Sequence, residues 1–327
     1  MAILVTGGAG YIGSHTARAL GERGERVVIL DSMEFGHRAA VLDAVLVEGN
    51  VSDGSLVRRV VNEHQIDGVI HFAAYKAPGE SMRDPGRYFA NNVCATAAFL
   101  ETLADLGVEH FVFSSTCAVY GTPSKLPVDE DHPLAPESPY GQSKYVVEQM
   151  LRWYGSQRGL RSVSLRYFNA AGASLDGRIG EDWSVTINLV PVAIKATLLG
   201  TAPLQVFGSD YPTSDGTPVR DYVHVIDLAD AHVRALDYLA GGGPSTVLNL
   251  GTGTGSTVLE VVNELERVSG CTVPTTIVER RPGDPVAVWA DNRRASVVLG
   301  WQPKYGLEEI LATAWGWHST HLDGYGP

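Results

Sequence analysis

The chain opens on an apolar run, Ala2-Ile3-Leu4-Val5, that passes through glycines at 7, 10 and 13 into Ser14-His15-Thr16-Ala17-Arg18-Ala19-Leu20. A short apolar run bounded by turn residues predicts a buried strand, and the residues after the glycines predict a helix. The pattern then repeats. Arg26-Val27-Val28-Ile29-Leu30 predicts a second strand ending on Asp31, Ala44 to Asn50 a third, and Leu56 to His64 a helix. Gly68-Val69-Ile70-His71-Phe72-Ala73-Ala74 predicts a fourth strand ending in small residues, and His110 to Ser115 a fifth. Between these two, Asn91 to Leu106 predicts a long helix that is apolar on more than one face, as burial or a subunit contact requires. Strands alternating with helices imply an α/β fold with a doubly wound parallel sheet and right-handed crossovers. After about residue 170, Gly, Pro, Asp and Trp interrupt the pattern and predict shorter elements. The expected division is a first domain over residues 1–170 and a smaller α/β domain over 171–327, with some later segments free to return to the first.

Composition narrows the class. A chain of 327 residues exceeds what one hydrophobic core usually supports, which agrees with a large and a smaller domain. A net charge of −12 argues against a nucleic-acid or anionic-membrane partner. Cys94, Cys117 and Cys271 lie far apart without metal-ligand spacing, so no metal is expected and a reducing compartment is. The first apolar stretch is already a strand without a basic leader, and no run is long enough to cross a bilayer, so the expected location is the cytoplasm.

The candidate chemistry begins at the glycines. One glycine tolerates the tight turn, a second lets a pyrophosphate approach the main chain, and a third lets helix and strand pack closely, the Rossmann-type arrangement. The helix N-terminus adds free N–H donors and a partial positive charge. Asp31, at the end of the second strand, stands where a carboxylate grips the adenosine ribose and repels a 2′-phosphate, so NAD is expected over NADP. The alternative is an ordinary strand-end Asp that caps a turn.

A second constellation sits at the end of the fifth strand, where ligands bind in open α/β sheets. There Ser114-Ser115-Thr116 is followed downstream by Ser138-Pro139-Tyr140-Gly141-Gln142-Ser143-Lys144. Ser138 can cap a helix whose first residue is Pro139, and Tyr140 and Lys144 then share one face. Tyrosine serves as a base at pH 7 only if its pKa falls by about 3, worth about 4 kcal/mol. One cation about 4 Å away supplies that much at an effective dielectric near 20. Lys144, an oxidised nicotinamide and the helix N-terminus are the expected sources, with Thr116 steadying the same substrate hydroxyl. The competing possibility is an amphipathic helix whose Tyr packs and whose Lys is solvated.

This order of glycine fingerprint, Asp31, Ser-Ser-Thr and Tyr-x-x-x-Lys resembles the extended short-chain dehydrogenase/reductase superfamily. Val5 to Thr16, His71-Phe72-Ala73, Arg166-Tyr167-Phe168-Asn169, Phe207 to Asp227 and the Trp315 region narrow the resemblance to its UDP-glucose 4-epimerase family, from Ile3 almost to the end. The resemblance implies an NAD-dependent isomerase that passes a UDP-hexose through a 4-keto sugar. It assigns the cofactor to Gly7, Gly10, Tyr11, Ile12, Gly13, Asp31, Asn50, Val51, Phe72, Ala73, Ala74, Lys76, Asn91 and Ser114, with Tyr140, Lys144 and Tyr167 near the nicotinamide. The catalytic residues it implies are Tyr140, Lys144 and Thr116. It assigns the substrate to Lys76, Thr116, Tyr140, Phe168, Asn169, Asn188, Leu189, Phe207, Arg220, Arg281, Asp284 and Val288. The domain split then becomes an NAD-binding half and a nucleotide-sugar-binding half, and the family's four-helix contact implies a homodimer.

Three positions depart from the family's usual residues. Asn50 replaces an Asp that accepts from the adenine amino group, and an Asn carbonyl can do the same. Thr116 replaces Ser with an equivalent hydroxyl. Val288 stands where a Tyr narrows the hexose pocket, so N-acetylated sugars are expected to fit unless neighbours close the gap. A 4,6-dehydratase on this scaffold would carry Asp-Glu where Cys117 and Ala118 stand. An epimerase acting mainly on UDP-N-acetylhexosamines or other nucleotide sugars, and a non-catalytic NAD sensor, are the remaining alternatives.

Overall fold

The computed structural model describes residues 1–183, 187–281 and 283–326. The apolar runs become strands β1 (Ala2–Thr6), β2 (Arg26–Asp31), β3 (Val45–Glu48), β4 (Gly68–His71), β5 (His110–Ser114) and β6 (Arg161–Tyr167). Short strands follow: β7 (Asn169–Ala171), β8 (Leu204–Phe207), β9 (Val219–Arg220) and β10 (Tyr222–His224), then β11 (Thr246–Leu250), β12 (Ser256–Thr257), β13 (Thr275–Val278) and β14 (Ala287–Val288). The helices are α1 (Tyr11–Glu22), α2 (Gly54–His64), α3 (Pro78–Arg83), α4 (Pro85–Tyr88), α5 (Ala95–Asp105) and α6 (Pro139–Arg158). They continue as α7 (Leu189–Leu199), α8 (Val225–Ala240), α9 (Val258–Ser269), α10 (Arg293–Leu299) and α11 (Leu307–Thr320).

Seven parallel strands form one sheet in the order β11-β6-β5-β4-β1-β2-β3. Alternate residues of a strand face opposite sides, and β1 shows the consequence. Ile3 and Val5 pack with Ala17 and Leu20 of α1 and with Ala231, Ala235 and Leu236 of α8. Ala2 and Leu4 face the other layer, built from Val57 and Val60 of α2, Phe99 and Leu103 of α5, and Val147 and Leu151 of α6. Both faces are therefore covered, which is why these strands read as continuous apolar runs. The winding direction reverses between β1 and β4, and the crevice at their C-terminal ends is where such sheets bind ligands.

A second core gathers Val190 and Ile194 of α7, Val261 and Leu265 of α9, and Ile310 and Leu311 of α11. It adjoins three small sheets, β10-β7, β12-β9-β14 and β13-β8.

Several expectations need correcting. The elements after residue 170 are not uniformly shorter, since α7, α8, α9 and α11 run 11, 16, 12 and 14 residues. The expected division, by contrast, leaves room for later segments to return, and β11 pairs with β6 at the edge of the large sheet while α8 packs on α1. β4 stops at His71 because Phe72 to Ala74 turn out over the glycine loop, where Phe72 N still donates to Thr6 O at 2.9 Å. The long helix expected from Asn91 begins as a π-helical stretch over Phe89–Cys94 and only then becomes α5. Such widened turns change which side chains a helix aims at its neighbours.

Candidate active site

The turn between β1 and α1 needs its glycines for different reasons. Gly7 adopts φ +69°, and a Cβ there would lie 2.6 Å from Ala73 N. A Cβ on Gly13 would lie 2.3 Å from Gly7 O, so only glycine lets the helix seat against the turn. No side chain caps α1 and no acidic residue occupies its first turn, which leaves its N–H groups and positive end open to an anion. Asp31 is 8% exposed and holds two loops together: Oδ2 accepts from Ala9 N and Oδ1 from Met33 N, both at 2.9 Å. Asn50 Oδ1 accepts from Ser52 N at 2.9 Å, so its carbonyl closes a local turn while the residue faces the cavity.

That cavity measures about 490 Å³. Every residue assigned to the cofactor by resemblance borders it: Gly7, Gly10, Tyr11, Ile12, Gly13, Asp31, Asn50, Val51, Phe72, Ala73, Ala74, Lys76, Asn91, Ser114, Tyr140, Lys144 and Tyr167. Glu34, Phe35, His37, Gly180, Glu181, Asp182 and Tyr325 line it too, and none of them carries a motif that singles it out in the sequence. Phosphate-ready N–H groups at one end, a ribose-type carboxylate and a sheet-end crevice fit a dinucleotide. Among the described residues no group of His, Cys, Asp or Glu is arranged to hold a metal ion, and no helix is long and apolar enough to cross a membrane.

At the inner wall, α6 starts as its sequence predicts. Ser138 Oγ accepts from Gly141 N at 3.1 Å and Pro139 occupies the first turn. Tyr140 N donates to Ser81 Oγ, and Ser143 Oγ donates to Tyr140 O at 2.7 Å, so the segment is fixed from two sides. Lys144 is 3% exposed and donates from Nζ to Ser114 O at 2.8 Å. A solvated lysine is thereby excluded. Burial holds the Lys144 ammonium down to about 7, with the Glu148 carboxylate acting in the opposite direction. Burial also pushes the Tyr140 phenol well above its usual range, with Tyr167 adding to this and a hydrogen bond from Thr116 opposing it. Desolvation is the largest of these effects, so a depressed Tyr140 depends on the charge that a bound cofactor brings. Thr116 itself, at the end of β5, also accepts from Ala118 N at 3.1 Å.

The residues assigned to the sugar nucleotide, apart from Lys76 and Tyr140, lie beyond the lining of that cavity. Cys117, next to Thr116, packs against the apolar cluster that holds Phe168 and Val288 and so adjoins the sugar-side residues. Phe168 and Val288 pack together with Val119, Tyr120, Val128 and Ala290. Asn169 Nδ2 donates to Asp221 O at 2.9 Å. Arg220 donates to Asp284, and β14 sets Val288 in register with Arg220. The Arg281 guanidinium lies 4.0 Å over the Phe207 ring, a cation–π contact. Asn188 is the N-cap of α7 without a side-chain cap bond, and Leu189 is its first residue. Lys76 Nζ pairs with Glu181 at 3.2 Å.

A doubly wound sheet whose crevice joins an anion-ready glycine turn to a buried Tyr-Lys pair defines a nucleotide-dependent enzyme of the dehydrogenase/reductase type. Residues 3–251 match the model of the NAD dependent epimerase/dehydratase family. The UDP-glucose 4-epimerase of Rhizobium meliloti is 48% identical over 322 residues, 98% of each chain. The structure of UDP-glucose 4-epimerase from Brucella ovis in complex with NAD superposes with a TM-score of 0.95 at 42% identity, covering 96% of this chain and 97% of that one. The UDP-glucose-4-epimerase from Stenotrophomonas maltophila with bound NAD and formylated UDP-arabinopyranose gives 0.95 at 40% identity and 99% coverage of both. The chain belongs to the NAD dependent epimerase/dehydratase family and, within it, to the UDP-glucose 4-epimerases.

Proposed function

We propose that this chain interconverts UDP-glucose and UDP-galactose by inverting C4 of the hexose with NAD as cofactor. The observation that carries the reading is the buried pair of Tyr140 and Lys144 on the wall of the cavity that also contains the glycine turn and Asp31. NAD, when bound, supplies a positive charge and accepts, then returns, the C4 hydrogen with its electron pair. Tyr140, as the tyrosinate, takes the proton of the C4 hydroxyl at its phenolate oxygen and later gives it back. Thr116 holds the same hydroxyl. Lys144, anchored on Ser114 O, keeps a cation near the reacting oxygen, and its pKa of about 7 lets it share the proton inventory. Gly7 to Gly13, Asp31 and Lys76 hold the dinucleotide, within a cofactor half over residues 1–170. In the second half, over 171–327, Arg220 and Arg281 meet the diphosphate of the sugar nucleotide, as guanidinium forks do. Purified protein incubated with UDP-galactose in a coupled assay should form UDP-glucose; absence of turnover with NAD present overturns the proposal.

Small Val288 favours a second substrate class. It lies buried in one apolar cluster with Phe168, a residue assigned to the sugar, and offers far less bulk than a phenol ring. UDP-N-acetylglucosamine and UDP-N-acetylgalactosamine should therefore turn over as well, and Val288→Tyr should abolish that activity while sparing the plain hexoses. Good turnover of UDP-galactose with none of either N-acetylated sugar sinks the open-pocket reading.

The proposal extends to assembly and location. Trp153 on α6 is 69% exposed, an apolar area that a second copy packing through α5 and α6 would cover. We expect a homodimer, so a 35 kDa particle by light scattering at micromolar concentration counts against it. The three cysteines are free, which supports a cytoplasmic location.

A further inference from the structure

The outer rim of the cavity is not built by the sheet. It is built by Gly180, Glu181 and Asp182 together with His37 and Tyr325, residues far apart in the chain. Tyr325 fastens the rim. Its hydroxyl donates to Gly180 O at 3.0 Å and accepts from Gly180 N at 3.1 Å, the two-way pairing that a neighbouring strand would otherwise supply. Its ring stacks on His37 with centroids 4.7 Å apart and 19° between planes, and His37 Nε2 reaches Asp182 Oδ2 at 2.7 Å. The same stretch is gripped from below. Trp317 Nε1 donates to Glu181 O and Trp183 Nε1 to Leu322 O, each at 3.1 Å. Gly180 lies flat on the Trp317 ring, where a Cβ would come within 2.3 Å of Cγ.

These contacts join three separate pieces of chain: the loop after Asp31 through His37, the glycine-turn side through the Lys76–Glu181 pair, and residues 317–325. On the reading that the cavity holds NAD, we infer that Tyr325 is a cofactor-retaining residue, the fastener of a clasp that must open before the dinucleotide can leave. The clasp combines hydrogen bonds, an ion pair and ring contacts outside the packed faces of the large sheet, so its opening need not disturb that core. It closes over a cofactor that the reaction regenerates each cycle, for which slow release is an advantage. Tyr325 touches the wall away from Tyr140 and so acts on retention rather than on proton transfer.

Tyr325→Phe removes both Gly180 bonds and keeps the ring stack, whereas Tyr325→Ala removes both. NAD content is measured on the purified full chain after denaturation, and the release rate by trapping freed NAD with an NAD-consuming dehydrogenase. Release should be about 10-fold faster in Tyr325→Phe and faster still in Tyr325→Ala. The apparent KM for added NAD should rise in the same order, and kcat at saturating NAD should change far less than KM. Release rates within twofold of the parent in both variants, with the parent holding NAD, overturn the clasp alone. Equal losses of kcat and NAD affinity overturn it too, since they indicate general disruption. A parent chain that holds no NAD under any loading condition overturns the functional reading and the clasp together.

Discussion

Tyr140→Phe is expected to lower kcat for UDP-galactose by a factor of about 100 or more, while the protein folds and carries NAD as before. The phenol oxygen is the only part removed. The ring of Tyr140 packs edge-on against Tyr88 with centroids 6.5 Å apart, and its backbone is held by Ser81 and Ser143, so Phe keeps the same place. What is lost is the proton acceptor for the C4 hydroxyl. The structure sharpens the reason for a large effect. Burial raises the Tyr140 phenol, so Tyr140 is not held deprotonated by its burial, and the bound cofactor's positive charge is the expected source of the push toward the tyrosinate. Tyr167 does not take over, because it is itself pushed up to about 12 by burial and tied to Ser114 at 2.8 Å. Turnover near that of the parent would remove Tyr140 from the base role. NAD content that fell in parallel would move its role from chemistry to binding.

The parts of this enzyme that are legible in its sequence are those dictated by neighbours along the chain. The β1-turn-α1 unit is one such part, since an apolar run, three spaced glycines and a helix start lie within thirteen residues. Another is the start of α6, where Ser138 and Pro139 fix the first turn and place Tyr140 and Lys144 on one face. What could not be read depends on pairings across the fold. β11 joins β6 with Thr246 opposite Val163, and nothing local in Thr246–Leu250 distinguishes an edge strand of the large sheet from a strand of the small domain. The π-helical stretch at Phe89–Cys94 is equally hidden, because its composition suits an ordinary helix. The sugar-side residues entered through family resemblance rather than through periodicity. The Arg220–Asp284 and Arg281–Phe207 contacts that now join some of them span from 64 to 74 residues of chain. The burial of Tyr140 was beyond reach for a related reason: desolvation depends on depth, and depth is a property of the assembled layers.

Arg166→Met is expected to be the most destabilising single change near the site, costing about 3–5 kcal/mol. Arg166 and Glu148 are 3% and 5% exposed and bonded twice: Nε to Oε1 at 3.0 Å and Nη2 to Oε2 at 2.5 Å. Arg166 also donates to Tyr120 Oη at 2.9 Å, and Ser115 Oγ donates to Glu148 at 2.6 Å, so the pair joins the end of β5 to α6 and β6. Methionine fills most of the volume but leaves a buried carboxylate with one hydroxyl for company. That uncompensated charge is the source of the cost; the pair itself gains little over well-packed apolar groups. Arg166→Met should therefore lower the melting temperature by roughly 10 °C, at a few degrees per kcal/mol for a chain of this size. The double change Arg166→Met with Glu148→Leu should recover much of the loss, because no buried carboxylate is left without its guanidinium. Turnover should separate the two consequences. Glu148 acts on Lys144 in the direction opposite to burial, so the double variant leaves the Lys144 ammonium with less support and should be stable yet slow. A double variant no more stable than Arg166→Met would mean that the loss comes from packing around Tyr120 rather than from an orphaned charge.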